Sequence, residues 1–173
     1  MVVFEDFSIN VKLFYLINHT RSPLADAFFL KFYFLGKGWI LIPIFFFVAI
    51  FLKNKLKLFL SALLVNTIAV HLIKQITNQP RPATILENVF LLEPLYHNSF
   101  PSGDTAMAFF LASFFLSINK LIGAVFLLYA FLIAYGRIYL GVHFPLDVFC
   151  GALIGIFSFL LALHIKRKDA LAD

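Results

Sequence analysis

Runs of apolar residues, separated by short polar or basic turns, dominate the chain from residue 38 onward. Helices predicted in this part cover residues 38–52, 56–73, 104–118, 121–137 and 144–165. Some of these runs are short for a hydrocarbon core about 30 Å thick, so tilt or local thinning of the bilayer has to accompany them. The pattern predicts an all-α fold, a polytopic bundle of five transmembrane helices.

The first 36 residues follow a different pattern, in which polar side chains interrupt the apolar ones. Segment 7–18 mixes both classes, which is typical of an amphipathic helix lying in the membrane interface. Segment 24–35 is apolar but short, and it carries Asp26 and Lys31. We interpret it as a second interfacial or partly inserted helix; if it crossed the membrane it would be a sixth span.

Composition places the whole chain among membrane proteins. Apolar residues make up 62% of its 173 residues, and 24 residues are Phe, far beyond the range of a soluble domain. We expect a single membrane-embedded domain covering residues 1–173. It divides into interfacial helices (1–36), a transmembrane core (38–165) and a basic cytoplasmic tail (166–173).

Basic residues are distributed unevenly over the predicted turns. With five spans, the turn at 53–57, Lys120 and the tail at 166–168 fall on one side of the membrane. The long loop 75–103 and the turn 138–143 fall on the other. The positive-inside rule makes the first side cytoplasmic, with the C-terminus there. The net charge of +5 suits anionic lipid, and with no recognition motif for nucleic acid we expect no such partner.

Three polar clusters fall on the non-cytoplasmic side, and their side chains suit a phosphate. Lys74 and Arg81 follow the second span, and Arg137 ends the fourth. Arg offers a bidentate fork to a phosphoryl group, and Lys offers a point charge. Ser102 and Gly103 precede the third span, where free backbone N–H groups and the helix dipole favour an anion.

His143 and Asp147 lie at the start of the last helix. Pro145 suits the first helical position, which places Asp147 in the first turn. The helix dipole favours an acid there, and the side chain can reach back toward His143. A His held by a carboxylate is a fixed, more basic imidazole that can serve as nucleophile or base.

Each cluster also has an ordinary explanation. Cations at a membrane boundary, a Ser-Gly-Asp turn that caps a helix, and an interfacial His beside a capping acid are all common when taken singly. Their convergence on one face favours a functional site, because ionisable groups within a membrane are costly.

The three clusters resemble the motifs of the type 2 phosphatidic acid phosphatase superfamily, which also includes soluble acid phosphatases and vanadium haloperoxidases. The matching positions are Lys74, Arg81 and Pro82 of the first motif, Pro101, Ser102 and Gly103 of the second, and Arg137, His143 and Asp147 of the third. Gly136 stands where the third motif has Ser, and Asp104 stands where the second has His. The resemblance extends over about residues 7–165.

The resemblance implies a lipid phosphatase that needs no metal or other cofactor. It implies a phosphohistidine on His143, orientation of that ring by Asp147, and protonation of the leaving group by the residue at 104. The apolar composition favours a lipid phosphate over the haloperoxidase branch. The expected substrates are lipid A 1-phosphate, undecaprenyl pyrophosphate or phosphatidylglycerophosphate, in a bacterial inner membrane with the site on its periplasmic face.

Asp104 is the departure from the motif. An Asp side chain is ordinarily ionised at neutral pH, so it repels phosphate and has no proton to donate unless burial keeps one on it. Asp104 is either a working acid in a natural variant or a replacement of His made to weaken turnover and hold the ligand; we favour the second. Two other functions stay open: a lipid phosphotransferase, and a non-catalytic phospholipid-binding protein.

The loop 83–100 carries apolar residues around Glu87 and Glu93. It either lies on the membrane and gates lateral access of lipid, or it is a plain surface loop.

Overall fold

The computed structural model describes residues 3–172, with side chains as far as Lys168; residues 1, 2 and 173 of the predicted domain lie outside this part. Every regular element in it is helical, as the sequence predicts. The α-helices are α1 (Ser8–Asn18), α2 (Pro23–Phe32), α3 (Leu41–Phe51), α4 (Leu56–Thr77), α5 (Pro82–Ile85), α6 (Gly103–Leu116), α7 (Lys120–Tyr139) and α8 (Pro145–Ala172). Short 3₁₀ turns cover Tyr33–Gly36, Gly38–Ile40 and Lys53–Lys55.

Three helical stretches of the described residues are long and apolar enough to cross a membrane: Lys53–Ile85, Lys120–Tyr139 and Pro145–Lys168. A fourth exists if Pro23–Gly36 and Gly38–Phe51, which meet at 54°, form one bent span. The structure therefore has three or four candidate spans, and the predicted count of five or six stays a prediction.

Helix α6 lies at the centre of the bundle. It has 14 residues, which gives a length of about 21 Å. Its buried residues are Thr105, Ala106, Met107, Ala108, Phe109, Phe110, Leu111, Ala112, Phe114 and Phe115. A helix that is apolar on all sides is stable where other helices surround it, and α4, α7 and α8 all pack against α6. Protein rather than lipid covers α6, so it does not need the length of a free-standing span.

Two glycines allow α8 to lie directly against α6. A Cβ atom placed on Gly155 would come 2.1 Å from the carbonyl oxygen of Ala106, and one on Gly151 would come 2.5 Å from that of Ser102. The four-residue spacing puts both glycines on one face of α8, and small residues so spaced allow close helix packing in membranes. This contact brings the start of α8 beside the start of α6.

Helix α1 turns its two asparagines inward, while Ser8 and Lys12 are exposed. Asn10, Phe14 and Asn18 are buried, whereas Ile9 and Leu16 are exposed. The Asn18 side-chain amide donates to the carbonyl oxygens of Phe90 (2.9 Å) and Tyr139 (3.0 Å). Apolar residues of α1 are thus left exposed, and the interfacial position predicted for segment 7–18 stays a prediction. The buried asparagines thus hold α1 to Phe90 of the long loop, to the end of α7 and to the start of α8.

The basic turn between α3 and α4 lies at the same end of the bundle as the basic end of α8. Lys166 Nζ donates to the carbonyl oxygen of Asn54 across 3.2 Å. The N-termini of α6 and α8 lie at the opposite end, where Ser102 N donates to the carbonyl oxygen of Asp147 (3.0 Å). The predicted phosphate-binding clusters and these basic residues are therefore on opposite ends of the helices.

Candidate active site

A cavity of about 260 Å³ opens at the end of the bundle where α6 and α8 begin. Its lining residues are Lys37, Lys74, Arg81, Glu93, Leu95, Gly103, Asp104, Arg137 and His143. Most of the residues proposed from the sequence thus surround one space. Asp147 lies behind His143, and Ser102 lies at the cap of α6.

His143 and Asp147 form a buried pair. Asp147 Oδ2 lies 3.0 Å from His143 Nδ1, and the two side chains are 0% and 2% exposed respectively. The same oxygen accepts hydrogen bonds from Phe144 N (2.8 Å) and from Ser99 Oγ (2.5 Å). Pro145 begins α8, so Asp147 reaches back over the first turn as an N-terminal acid can. The imidazole ring is held in one orientation.

The environment of His143 keeps its imidazole neutral. Burial lowers its pKa to about 3; the Asp147 hydrogen bond opposes this shift, and the Arg81 and Arg137 cations add to it. Because Nδ1 faces the carboxylate, we assign the proton to Nδ1 and the lone pair to Nε2. Arg81 Nη1 lies 3.3 Å from Nε2. A neutral ring with its lone pair on Nε2 is the form of histidine that can act as a nucleophile, once a substrate displaces the Arg81 contact.

Backbone carbonyls hold Arg81 and Lys74 in place. Arg81 Nε donates to the carbonyl oxygen of His97 (2.8 Å), and Arg81 Nη1 donates to that of Val142 (3.0 Å). Lys74 Nζ donates to the carbonyl oxygen of Ser99 (3.1 Å). The segment that ends the long loop therefore fixes both cations at the cavity wall without neutralising their charge.

Arg137 is held by an acid that the sequence analysis did not place in the site. Its Nη1 lies 2.6 Å from Glu93 Oε2, and Glu93 Oε1 lies 3.2 Å from Lys37 Nζ. Arg137 and Glu93 are both buried. Glu93 is an acid in an otherwise apolar part of the loop, and this is the signal that could have identified it. Lys37, which the sequence analysis did not place in the site either, belongs to the same group.

Asp104 faces Arg137 across the cavity mouth. Arg137 Nε lies 3.2 Å from Asp104 Oδ2, close enough for an ion pair. The Nε–H nevertheless has no hydrogen-bond partner among residues 3–172, although it is buried. A buried donor without a partner is costly, so this N–H is available to an anion in the cavity.

Ser102 and Gly103 have different surroundings. Ser102 is 0% exposed, its Oγ caps α6 by accepting from Thr105 N (3.5 Å), and its own N–H bonds to the carbonyl oxygen of Asp147. Ser102 thus joins α6 to α8, whereas Gly103 lines the cavity. Of these two residues, Gly103 is the one that faces the cavity.

The apolar residues of the long loop are partly turned inward. Leu91, Leu92 and Leu95 pack against Tyr139 and Leu140 among others. Phe90 and Tyr96 are about half exposed. The loop thus forms one wall of the cavity, and its predicted gating of lipid access stays a prediction.

Comparison with known sequences and structures indicates the family to which this chain belongs. The sequence model of the PAP2 superfamily matches residues 55–170. The crystal structure of Aquifex aeolicus LpxE superimposes with a TM-score of 0.91 at 53% identity, and the alignment covers 94% of this chain and 99% of that one.

Two further proteins are similar over nearly the whole chain. An undecaprenyl-diphosphatase of Sulfolobus acidocaldarius is 29% identical over 94% of this chain and 81% of its own length. A transmembrane PAP2-type phosphatidylglycerolphosphate phosphatase from Bacillus subtilis has the same fold, with a TM-score of 0.76 at 23% identity over 92% of this chain and 85% of that one. The chain therefore belongs to the PAP2 superfamily, as a membrane lipid phosphatase.

Proposed function

We propose that this phosphatase removes phosphate from a lipid phosphomonoester or pyrophosphate through a phosphohistidine formed on His143. One observation carries the proposal: His143, buried and paired with Asp147, lies on a cavity wall shared with Lys74, Arg81 and Arg137. Such a site combines a nucleophile with three cations for the charge of a phosphoryl group.

In the first step, Nε2 of His143 attacks phosphorus in line with the bond to the lipid. The N–P bond forms, the P–O bond to the lipid oxygen breaks, and that oxygen takes up a proton. Arg81, Arg137 and Lys74 stabilise the charge on the equatorial oxygens. Asp147 stabilises the cationic ring that forms, since it already accepts the Nδ1 proton. Water then attacks phosphorus, releases inorganic phosphate and restores His143.

Asp104 occupies the position that, by resemblance to the family motifs, belongs to the residue that protonates the leaving group in the first step. Its carboxylate pairs with Arg137, so it competes with phosphate for that cation. We propose that Asp104 is a weak proton donor and that it limits turnover of simple phosphomonoesters. A pyrophosphate substrate depends less on a donor, because phosphate is a good leaving group.

The apolar outer faces of α4, α7 and α8 support a substrate that reaches the site from the bilayer. We propose lipid A 1-phosphate, undecaprenyl pyrophosphate or phosphatidylglycerophosphate. The likeness to an undecaprenyl-diphosphatase supports the second of these. The basic end of the bundle supports an orientation in a bacterial inner membrane with a cytoplasmic C-terminus and a periplasmic site. The five-span topology belongs to the same proposal.

The decisive experiment measures phosphate release from these three lipids by the unchanged protein and by its His143→Ala variant, and it quenches the reaction early to look for an acid-labile, base-stable phosphoryl label. The proposal requires label and release in the first protein and neither in the variant. A phosphorylated product seen only with an added alcohol would indicate a phosphotransferase. Lipid binding without any label would indicate a binding protein.

A further inference from the structure

Glu5 lies beside Asp147 of the His143–Asp147 pair, and it is not one of the residues that line the cavity. It precedes α1, its side chain is 0% exposed, and its carboxyl group lies within hydrogen-bond reach of the Asp147 carboxyl group. The proposed mechanism gives Glu5 no task. A buried acid against a buried acid nevertheless requires an explanation, because two adjacent charges of one sign repel strongly where water is excluded.

The hydrogen bonds of this pair are incomplete if both groups are ionised. Among residues 3–172, no donor reaches Oε1 or Oε2 of Glu5 or Oδ1 of Asp147. Buried oxygens without a donor are costly. One proton on Glu5 removes most of this cost, because the acid O–H can then donate to Asp147 Oδ1. Such bonds from a neutral acid to a carboxylate are short and strong.

Hydrogen bonds connect the backbone around Glu5 to two parts of the fold near the site. Asn10 Nδ2 donates to the carbonyl oxygen of Glu5 (2.7 Å), and Asn10 Oδ1 accepts from Leu146 N (3.0 Å). Phe4 N donates to Gln79 Oε1 (3.2 Å). The segment before α1 is thereby tied both to the start of α8 and to the residues after α4, which places Glu5 against Asp147.

The charges that face Glu5 come from three parts of the fold: Asp147 of α8, Lys74 of α4, and Arg81 after α4. Burial raises the pKa of Glu5 far above its ordinary value of 4.5; Asp147 adds to the shift, and Lys74 and Arg81 oppose it. The proton therefore stays on Glu5 through the neutral range.

We propose that Glu5 is a positioning residue which, as a neutral carboxylic acid, donates a hydrogen bond to Asp147 Oδ1 and so fixes the carboxylate that orients His143. This inference rests on the proposed phosphohistidine function. Ser99 and Phe144 hold the other oxygen of Asp147, together with His143 itself. A neutral donor adds a fourth contact and leaves the negative charge of Asp147 intact, which the cationic ring of the phosphohistidine step requires.

Two variants separate this role from simple packing. Glu5→Gln keeps the size of the side chain and an N–H that can donate to Asp147, whereas Glu5→Met keeps the size but has no donor. We expect kcat of Glu5→Gln to stay within about threefold of the unchanged protein, and kcat of Glu5→Met to fall by about tenfold or more, with KM little changed. Asp6→Asn, at the exposed neighbouring acid, is the matched control and should change neither constant.

Thermal unfolding in detergent tests the proton without any turnover. The folded protein keeps a proton on Glu5 that the unfolded chain releases above about pH 4.5, so Tm of the unchanged protein should fall relative to that of Glu5→Gln as pH rises from 5 to 9. Glu5→Gln has no such proton. A Tm difference that does not change with pH would overturn the proposal, even if Glu5→Met fails to fold.

The activity measurements can also overturn the proposed positioning role of Glu5. Equal kcat for all three proteins would show that Glu5 has no positioning role. An equal fall for both variants, with a shifted acid limb of the pH profile, would show that Glu5 acts as an anion. If the unchanged protein releases phosphate from no lipid, the proposed function fails, while the pH dependence of Tm still decides whether Glu5 keeps its proton in the folded protein.

Discussion

Arg137 Nε lies 3.2 Å from Asp104 Oδ2, so a cation that faces the cavity already has a carboxylate beside it. The other side of the same guanidinium is bound to Glu93 at 2.6 Å. Arg137 thus contacts two acids. Glu93 holds its guanidinium in place, and Asp104 would compete with a phosphate for it. In the proposed mechanism, an incoming phosphate has to displace the Arg137–Asp104 contact or accept the repulsion of Asp104.

Replacing Asp104 with His should therefore raise turnover. His supplies a proton donor and removes the competing charge, and a positioned general acid typically contributes about 10²–10⁴-fold. We expect kcat for phosphomonoester lipids to rise by at least about tenfold in Asp104→His. Asp104→Asn is the matched control, because it removes the charge without supplying an acid; it should lower KM and leave kcat nearly unchanged. No gain in Asp104→His would show that Asp104 is itself the working acid.

The same variant should discriminate between leaving groups. If proton donation limits the first step, the gain from Asp104→His should be larger for lipid A 1-phosphate than for undecaprenyl pyrophosphate, whose phosphate leaving group needs little protonation. The ratio of the two gains in kcat/KM measures this. A ratio near one would mean that Asp104 limits binding rather than protonation.

The sequence predicts the helices better than the contacts between them. The start of α8 follows from Pro145, and the structure confirms it within one residue of the predicted 144. Its end lies beyond the predicted 165, because the basic residues there are good helix formers and no breaker follows. Likewise α4 continues past the predicted 73 to Thr77 and ends where Asn78 adopts a positive φ of 43°.

The residues that support the site are harder to predict. Glu93 contacts Arg137 across 44 positions of the chain, and Asn18 contacts Tyr139 across 121. No local periodicity encodes such pairs. An amphipathic pattern in segment 7–18 does not tell which of its polar residues turn inward: Asn10 and Asn18 are buried, whereas Ser8 and Lys12 are exposed. The motif residues themselves could be identified because charged groups are rare in so apolar a chain.

Glu93→Gln should weaken both the fold and the site. Arg137 is buried and keeps its 3.2 Å contact with Asp104 in this variant, so the loss of its closer carboxylate should cost less than the roughly 3–5 kcal/mol typical of a buried charge that loses its whole partner. We expect a clear fall of Tm and an increase of KM, because Arg137 and Lys37 lose the acid that aligns them. Glu87→Gln, at the exposed acid of the same loop, is the control and should match the unchanged protein in both measurements. Unchanged Tm and KM in Glu93→Gln would contradict this account of Arg137.

His143 should remain neutral well below the pH at which histidine ordinarily gains a proton. Its pKa is lowered by burial from 6.5 to about 3, so the folded protein excludes a proton that the unfolded chain accepts. This mismatch should destabilise the fold as pH falls from about 6.5 toward 3, by about 1.4 kcal/mol per pH unit. Nitrogen NMR of histidine-labelled protein, assigned with His143→Ala, should show a neutral ring protonated on Nδ1 at pH 5. A cationic ring there would refute the assignment.

Gly155→Ala should displace α8 from α6 although it adds a single methyl group. The new Cβ would lie 2.1 Å from the carbonyl oxygen of Ala106, and because this atom is backbone, the helices themselves have to separate. Overpacking of this kind typically costs about 1–3 kcal/mol. The shift also changes the spacing between Asp147 on α8 and Asp104 on α6, so kcat should fall together with Tm.

The matched control is Gly38→Ala, where a new Cβ meets no atom within 4 Å, and both quantities should stay unchanged. Equal behaviour of the two variants would mean that the α6–α8 contact does not set the geometry of the site.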